Sequence, residues 1–361
     1  PWLAAAAVGG GFGFALERLT RGRDRVGVRE GFLVVSLTWL LAAGLAALPF
    51  LFAGGEQLSR PVDAYFEAMS GFTTTGASVV TDVEALWERS AEHNLVVVAT
   101  PNRFHVPLGL AALEAGLPVV IDKPMAPTAE EGRRLRIAAA ERDLFLTVFQ
   151  NRRWDGDLLT VRRLIAEEAF GPIVRFESRF ERWRPAVRDG AWRERGDPEE
   201  AGGLLFDLGS HLIDQAVGLF GPPLTVYAEV DRRRPGAEVD DDTFVALEHG
   251  DGVRSHLWMS VLAAIRGPRM RVLGLRAAYE KYGLDGQEEA LGEGSSPDDP
   301  AWGREPPDRW GRLSTGEDVR TVETEPGDYP EFYRRVVASL RDGEPPPVDP
   351  DEAIAVLEII E

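Results

Sequence analysis

Three side chains in this sequence have the types and spacing to do proton chemistry together: Lys123, Asp207 and His211. An imidazole is the side chain whose ordinary titration lies nearest neutrality, so His211 is the natural proton acceptor. Asp207 stands four residues before it, which on a regular helix puts carboxylate and ring on one face. Lys123 lies in DKP, just past the apolar run 119–121, and offers an ammonium to an oxygen that is losing its proton.

These residues need a frame that brings them together. The stretch 94–124, NLVVVATPNRFHVPLGLAALEAGLPVVIDKP, reads as strand, turn, helix and strand, with breaks at Thr100-Pro101-Asn102 and at Gly116-Leu117-Pro118. Lys123 then sits at a strand's carboxyl end, the edge of an open parallel sheet where loops splay apart and ligands lie. Asp207 and His211 belong to a helix over 203–220, entered through Gly202-Gly203 and stopped by Gly221-Pro222-Pro223. A strand over 144–149 closes the parallel sheet, and the motif at 150–155 crosses into a second part of α+β character. There a helix over 157–168 precedes alternating runs at 173–183, 224–230, 243–248, 253–260 and 270–275, which predict a mainly antiparallel sheet. The Gly-, Pro- and Asp-dense segment 283–327 reads as a long surface excursion before two closing helices.

Thr100-Pro101-Asn102 with His105, Asp122-Lys123-Pro124, and Gly202-Gly203 with Asp207, His211 and Asp214 together resemble the glucose-fructose oxidoreductase and inositol dehydrogenase family (Gfo/Idh/MocA). QNRRWD at 150–155, RPAVRDGAWRE at 184–194, DDTF at 241–244 and GLDGQE at 283–288 extend the likeness over 94–361, most closely to its NADP-linked scyllo-inositol dehydrogenase branch. One departure is Asp122, where the family's usual residue is one methylene longer. The resemblance implies a dehydrogenase that takes hydride from a polyol or sugar to NADP or NAD, acting as a homo-oligomer in the cytoplasm. It implies His211 as proton acceptor, Asp207 binding a substrate hydroxyl and orienting the imidazole, and Lys123 beside the reacting hydroxyl and the nicotinamide ribose. Thr100, Pro101, Asn102, His105 and Asp122 would line the cofactor side, with Trp192 and Arg193 capping it.

Composition bounds this further. In 361 residues, 44% are apolar, enough for a substantial core. Acidic residues outnumber basic ones by 59 to 40, for a net charge of -19, which disfavours a nucleic-acid partner. Zero cysteine excludes disulfides, thiolate metal ligands and a cysteine nucleophile. The five histidines, at 93, 105, 211, 249 and 256, have no metal-ligand spacing, and hydride transfer to a nicotinamide needs no metal.

The first 88 residues have a different character. The uncharged runs 1–16 and 31–55 flank a loop carrying Arg18, Arg21, Arg23, Arg25 and Arg29, and the second run has the length and apolarity of a membrane span. The following segment, AYFEAMSGFTTTGASVVTDVEAL, resembles the pore loop of Trk-type (TrkH-like) potassium transporters, with Thr73, Thr74, Thr75 and Gly76 at the selectivity filter. One such loop cannot conduct ions alone. No glycine-rich phosphate turn follows a strand: Gly9, Gly10, Gly11 and Gly13 sit inside an apolar run, with no acidic residue about 20 positions on. The expected organisation is a membrane fragment over 1–88, the carboxyl half of a dinucleotide-binding Rossmann unit over 94–150, and a substrate and oligomerisation part over 151–361. Three functions stay open: a dehydrogenase weakened by the missing cofactor turn, a transport component, or a join of two gene fragments near 88–94 with neither activity.

Overall fold

The computed structural model describes Ala47 and residues 84–187 and 192–361. The chain divides into two compact units, Pro1–Arg89 and Ser90–Glu361. A short helix, Glu84–Glu88, belongs to the first, and every element below to the second.

The second unit opens with a parallel three-stranded sheet in the order β1 (Val96–Val98), β2 (Val119–Asp122), β3 (Leu146–Phe149), Val119 standing opposite both Val96 and Leu146. Val119, Val120 and Ile121 are wholly buried, as a strand covered on both faces must be. Helix α1 (His105–Glu114) comes so close that a Cβ on Gly109 would stand 3.0 Å from Ile121 and 2.8 Å from Leu135, so only glycine lets the layers meet. Leu135 lies on α2 (Ala129–Glu141), whose first turn is capped by Thr128 Oγ1 accepting from Glu131 N at 3.2 Å.

A buried turn, Asn151–Trp154, leads into α3 (Gly156–Ala166) and a second sheet. Its eight strands are β4 (Ile173–Glu181), β5 (Pro223–Asp231), β6 (Asp242–His249), β7 (Arg254–Ser260), β8 (Met270–Gly274), β9 (Ala278–Lys281), β10 (Gly311–Ser314) and β11 (Val319–Val322). They lie in the order β11-β10-β9-β8-β4-β7-β6-β5. The pairing is antiparallel as expected, except that β4 runs parallel to β7. One face carries Phe176, Phe180, Leu257, Met259 and Val272 against Leu158 and Val161 of α3 and Leu212 and Ile213 of α4 (Ser210–Phe220). Burial of each such side chain contributes about 1.5–3 kcal/mol.

The segment 283–327 is no mere excursion. It holds a helix, α5 (Gln287–Gly292), and the hairpin β10–β11, which extends the sheet through β9. Periodicity hides these strands because they are four residues each and lie among Pro and Gly. Finally α6 (Tyr329–Asp342) sets Phe332 edge-on to Phe149 and Trp154, and α7 (Pro350–Ile360) packs on α2 around Gly132. The closing helices thus return to the first sheet.

Among the described residues no helix is long and apolar enough to cross a membrane. The apolar runs 1–16 and 31–55, Ala47 apart, and the filter-like Thr73, Thr74, Thr75 and Gly76 lie outside the described residues.

Candidate active site

At the carboxyl edge of the parallel sheet, β2 delivers Lys123 and β3 delivers Gln150. The peptide between Lys123 and Pro124 is cis, and Asp122 Oδ1 accepts from Lys123 N at 2.8 Å. Opposite them the chain enters its site helix through Gly203, whose φ of +93° favours glycine and where a Cβ would stand 1.9 Å from Asp240 Oδ1. Asp240 Oδ2 in turn accepts from Leu205 N at 2.8 Å and from Thr243 Oγ1 at 2.8 Å, fixing the helix start.

The helix does not begin as an α-helix. Residues Leu205–Gly209 form a π-turn, and α4 follows directly. Asp207 therefore precedes His211 across a widened turn rather than on a regular i,i+4 face, a geometry frequent at functional sites. Both still line one cavity of about 450 Å³, with Asp122, Lys123, Arg152, Arg182, Arg184 and Arg193 among its walls.

Within it, Lys123 Nζ donates to Asp207 Oδ1 at 3.0 Å and also to the Asp207 carbonyl, while Arg193 Nε stands 3.3 Å from the same Oδ1. Burial pushes the Asp207 carboxyl up, but the Lys123 ammonium and the Arg193 guanidinium overcome this and hold it below the ordinary carboxylate value. Burial alone prevails at Asp122, whose carboxyl is raised despite Lys123. The His211 ring is buried, and desolvation, with the cations Lys123, Arg152 and Arg269, holds it well below 6.5. Its partner corrects the expectation that Asp207 orients it: Nδ1 faces Gln150 Oε1 at 3.1 Å. Since an amide oxygen only accepts, Nδ1 carries the proton and Nε2 is left as the base.

The remaining expected residues divide. Asp122, Lys123 and Arg193 line the cavity. His105 does not: it is buried, with Nδ1 2.8 Å from Pro124 O and Nε2 2.9 Å from Thr100 O, so it ties the loops after β1 and β2 together. Asn102 is also buried, its Nδ2 donating to Glu200 O at 3.0 Å and Ala201 O at 3.3 Å, just ahead of the Gly202-Gly203 bend. Thr100 and Pro101 stand at the end of β1 beside it. Trp192 begins a short turn, Trp192–Glu194, and its side chain lies outside the described residues. Reasoning from sequence passed over Gln150, Arg152, Arg182 and Arg184, although Gln150 follows β3 as Lys123 follows β2 and the same edge rule points to it.

The site suits a nicotinamide dinucleotide. Thr100 Oγ1, at the carboxyl end of β1, is a buried hydroxyl with no partner among the described residues, and Asp122 and Lys123 at the end of β2 line the cavity.

Residues 56–150 match the family described as "Oxidoreductase family, NAD-binding Rossmann fold", and residues 158–280 match "GFO/IDH/MocA C-terminal domain". The first match begins upstream of 94 and runs across Thr73, Thr74, Thr75 and Gly76 and through the supposed junction near 88–94. The transporter and joined-fragment readings thus find no support, and the cofactor is a nicotinamide dinucleotide. Over 290 residues the chain is 40% identical to a scyllo-inositol 2-dehydrogenase (NADP(+)), IolW, of Bacillus subtilis, covering 79% of each protein. It is 42% identical over 272 residues to an uncharacterised oxidoreductase, YdgJ, of Escherichia coli, covering 74% of this chain and 77% of that one. Among solved structures, an oxidoreductase from Bacillus cereus superposes with a TM-score of 0.70 at 29% identity, over 78% of this chain and 81% of its own.

Proposed function

Because the chain belongs to the Gfo/Idh/MocA family of oxidoreductases, we propose that it moves hydride between a secondary alcohol of an inositol-type polyol or sugar and NADP or NAD. The observation that carries this is the meeting of Lys123, Asp207 and His211 in one cavity at the carboxyl edge of the Rossmann sheet.

The bound nicotinamide supplies the hydride acceptor. The chain's own residues manage the alcohol. His211, kept neutral by burial and by three neighbouring cations, presents Nε2 to the hydroxyl proton while Gln150 holds the ring through Nδ1. A proton on that ring faces Lys123, Arg152 and Arg269, so it is passed on rather than retained. The Lys123 ammonium, anchored by Asp207, lies beside the oxygen that gains negative charge and stabilises it. Asp207 uses its remaining acceptor capacity on a second substrate hydroxyl, and Arg193 steadies it from the outer side. Asp122, the Thr100-Pro101-Asn102 turn and the short turn carrying Trp192 and Arg193 would hold the nicotinamide end of the cofactor.

The relative's action on scyllo-inositol with NADP supports that substrate class and cofactor for this chain. The organisation that follows is a dinucleotide side that ends at 150 and a substrate side from 151, working as a homo-oligomer in the cytoplasm, where nicotinamide is available. The test is to mix purified protein with NADP and a panel of inositols and sugar alcohols and record the absorbance of the reduced nicotinamide. Turnover with at least one is expected; no turnover together with no cofactor binding overturns the proposal.

A further inference from the structure

We infer that the substrate of this site carries an oxyanion, a carboxylate or a phosphate, received by Arg182 and Arg184. The inference rests on the dehydrogenase reading above and deepens it by naming the substrate's charge.

The two arginines are placed together by the fold. Beyond β4 the chain stays extended, Trp183 bridging Leu262 in antiparallel fashion, so residues 182 and 184 point to one side and residue 183 to the other. Both arginines line the cavity, Arg182 half-buried and Arg184 at its exposed mouth, while Trp183 does not line it. The strap that bears them is pinned along its length. Arg182 N donates to Ser260 O at 2.8 Å, Arg184 N to Val261 O at 2.7 Å, and Ala263 N to Arg182 O at 3.1 Å. From the other flank the buried Arg234 donates to Arg184 O and Ala186 O, itself held by Asp241 at 2.9 Å.

Charge around the cavity is otherwise accounted for. Asp207 is shared by Lys123 and Arg193, Glu288 holds Arg152 at 2.5 Å, and Glu194 lies 3.3 Å from Arg234. Asp240 is taken by Leu205 N and Thr243, and Asp122 accepts from Lys123 N. Among the described residues Arg182 and Arg184 form no direct ion pair, although Asp207 and Glu288 act on Arg182 from farther off. Burial first, and then the nearby Arg184 guanidinium, lowers Arg182 from its ordinary value, against the opposing pull of Asp207 and Glu288. In a chain of net charge -19, two unmatched guanidiniums facing one cavity are the reverse of the general balance. Two planar donor forks suit an oxyanion and have nothing comparable to bind on a neutral polyol.

The experiment is calorimetric titration of the full chain with D-gluconate, glucose 6-phosphate and neutral glucitol, repeated on Arg182→Gln and Arg184→Gln. At least one anionic ligand is expected to bind about tenfold to a hundredfold more tightly than glucitol, and each substitution to remove most of that preference. Tighter gluconate assigns a carboxylate, tighter glucose 6-phosphate a phosphate, and either supports the inference. Arg184→Lys, which keeps the charge, should retain part of the preference and guards against a misfolded Gln variant. Equal binding of charged and neutral ligands, or a preference that survives both Gln substitutions, overturns it. Failure of the dehydrogenase reading would instead appear as no nicotinamide reduction with any polyol, D-gluconate or glucose 6-phosphate while the binding preference persists.

Discussion

His211 is an imidazole whose surroundings keep it uncharged, and two consequences follow. Because its folded value lies below the ordinary 6.5, the unfolded chain binds a proton there that the folded chain refuses. This contribution to stability is complete above 6.5 and is lost as pH falls below it, so the melting temperature should decline on acidification. His211→Asn should flatten that decline. The same substitution should lower kcat by about a hundredfold to ten-thousandfold, the usual worth of a positioned acid-base group, while reduced-nicotinamide binding measured by fluorescence stays within a few-fold. A variant with unchanged kcat would remove His211 from the chemistry. Gln150 offers a finer test. Gln150→Leu removes the acceptor that fixes the ring proton on Nδ1, so kcat should drop more than KM rises, with no large change in cofactor binding.

At the scale of the element, the helix that carries Asp207 and His211 is set by its first residues. Gly203 must adopt a left-handed φ against Asp240, and a methyl group there would collide with that carboxylate. Gly203→Ala should cost about 1–3 kcal/mol in denaturant unfolding and displace the π-turn. Near-normal stability and activity would show that the bend tolerates a side chain. Asp240→Asn should be milder, because an amide oxygen can still accept from Leu205 N. The π-turn also explains why regular helical spacing was an incomplete guide: it widens the turn at Asp207, and the carboxylate meets Lys123 and Arg193 while the ring beyond it meets Gln150.

Taken whole, the second unit covers one face of its larger sheet with α3 and α4, and among the described residues no element packs on the other. On β5, at the sheet's edge, Leu224 and Tyr227 are exposed, Tyr227 lies against Phe244 of β6 on the open face, and Arg179 of β4 stacks 3.9 Å over Trp258 of β7. An edge strand with exposed apolar side chains is a surface that a second chain can cover. Leu224→Glu with Tyr227→Asp should lower the mass seen in sedimentation velocity without altering the fold. A wild-type chain that sediments as a monomer would defeat the expected homo-oligomer.

Sequence by itself determined the family, three parallel strands read at 95–99, 119–121 and 144–149 and found within two residues of those bounds, and Lys123, Asp207 and His211 as candidates, because these depend on local patterns: apolar runs, turn residues and short motifs. It misjudged where the Rossmann match begins, at 56 rather than 94, since a short Thr-Gly run at 73–76 reads as a pore loop. Tertiary structure alone decided that Gln150 rather than Asp207 holds the imidazole, that His105 faces inward between two carbonyls, and that Arg182 and Arg184 share the cavity with Lys123. The His105 contacts bridge two loops 5 and 19 positions away, and the others hinge on residues about 60 or more positions apart; a linear chain does not record which of its charges end up facing one another until the two sheets have closed around them.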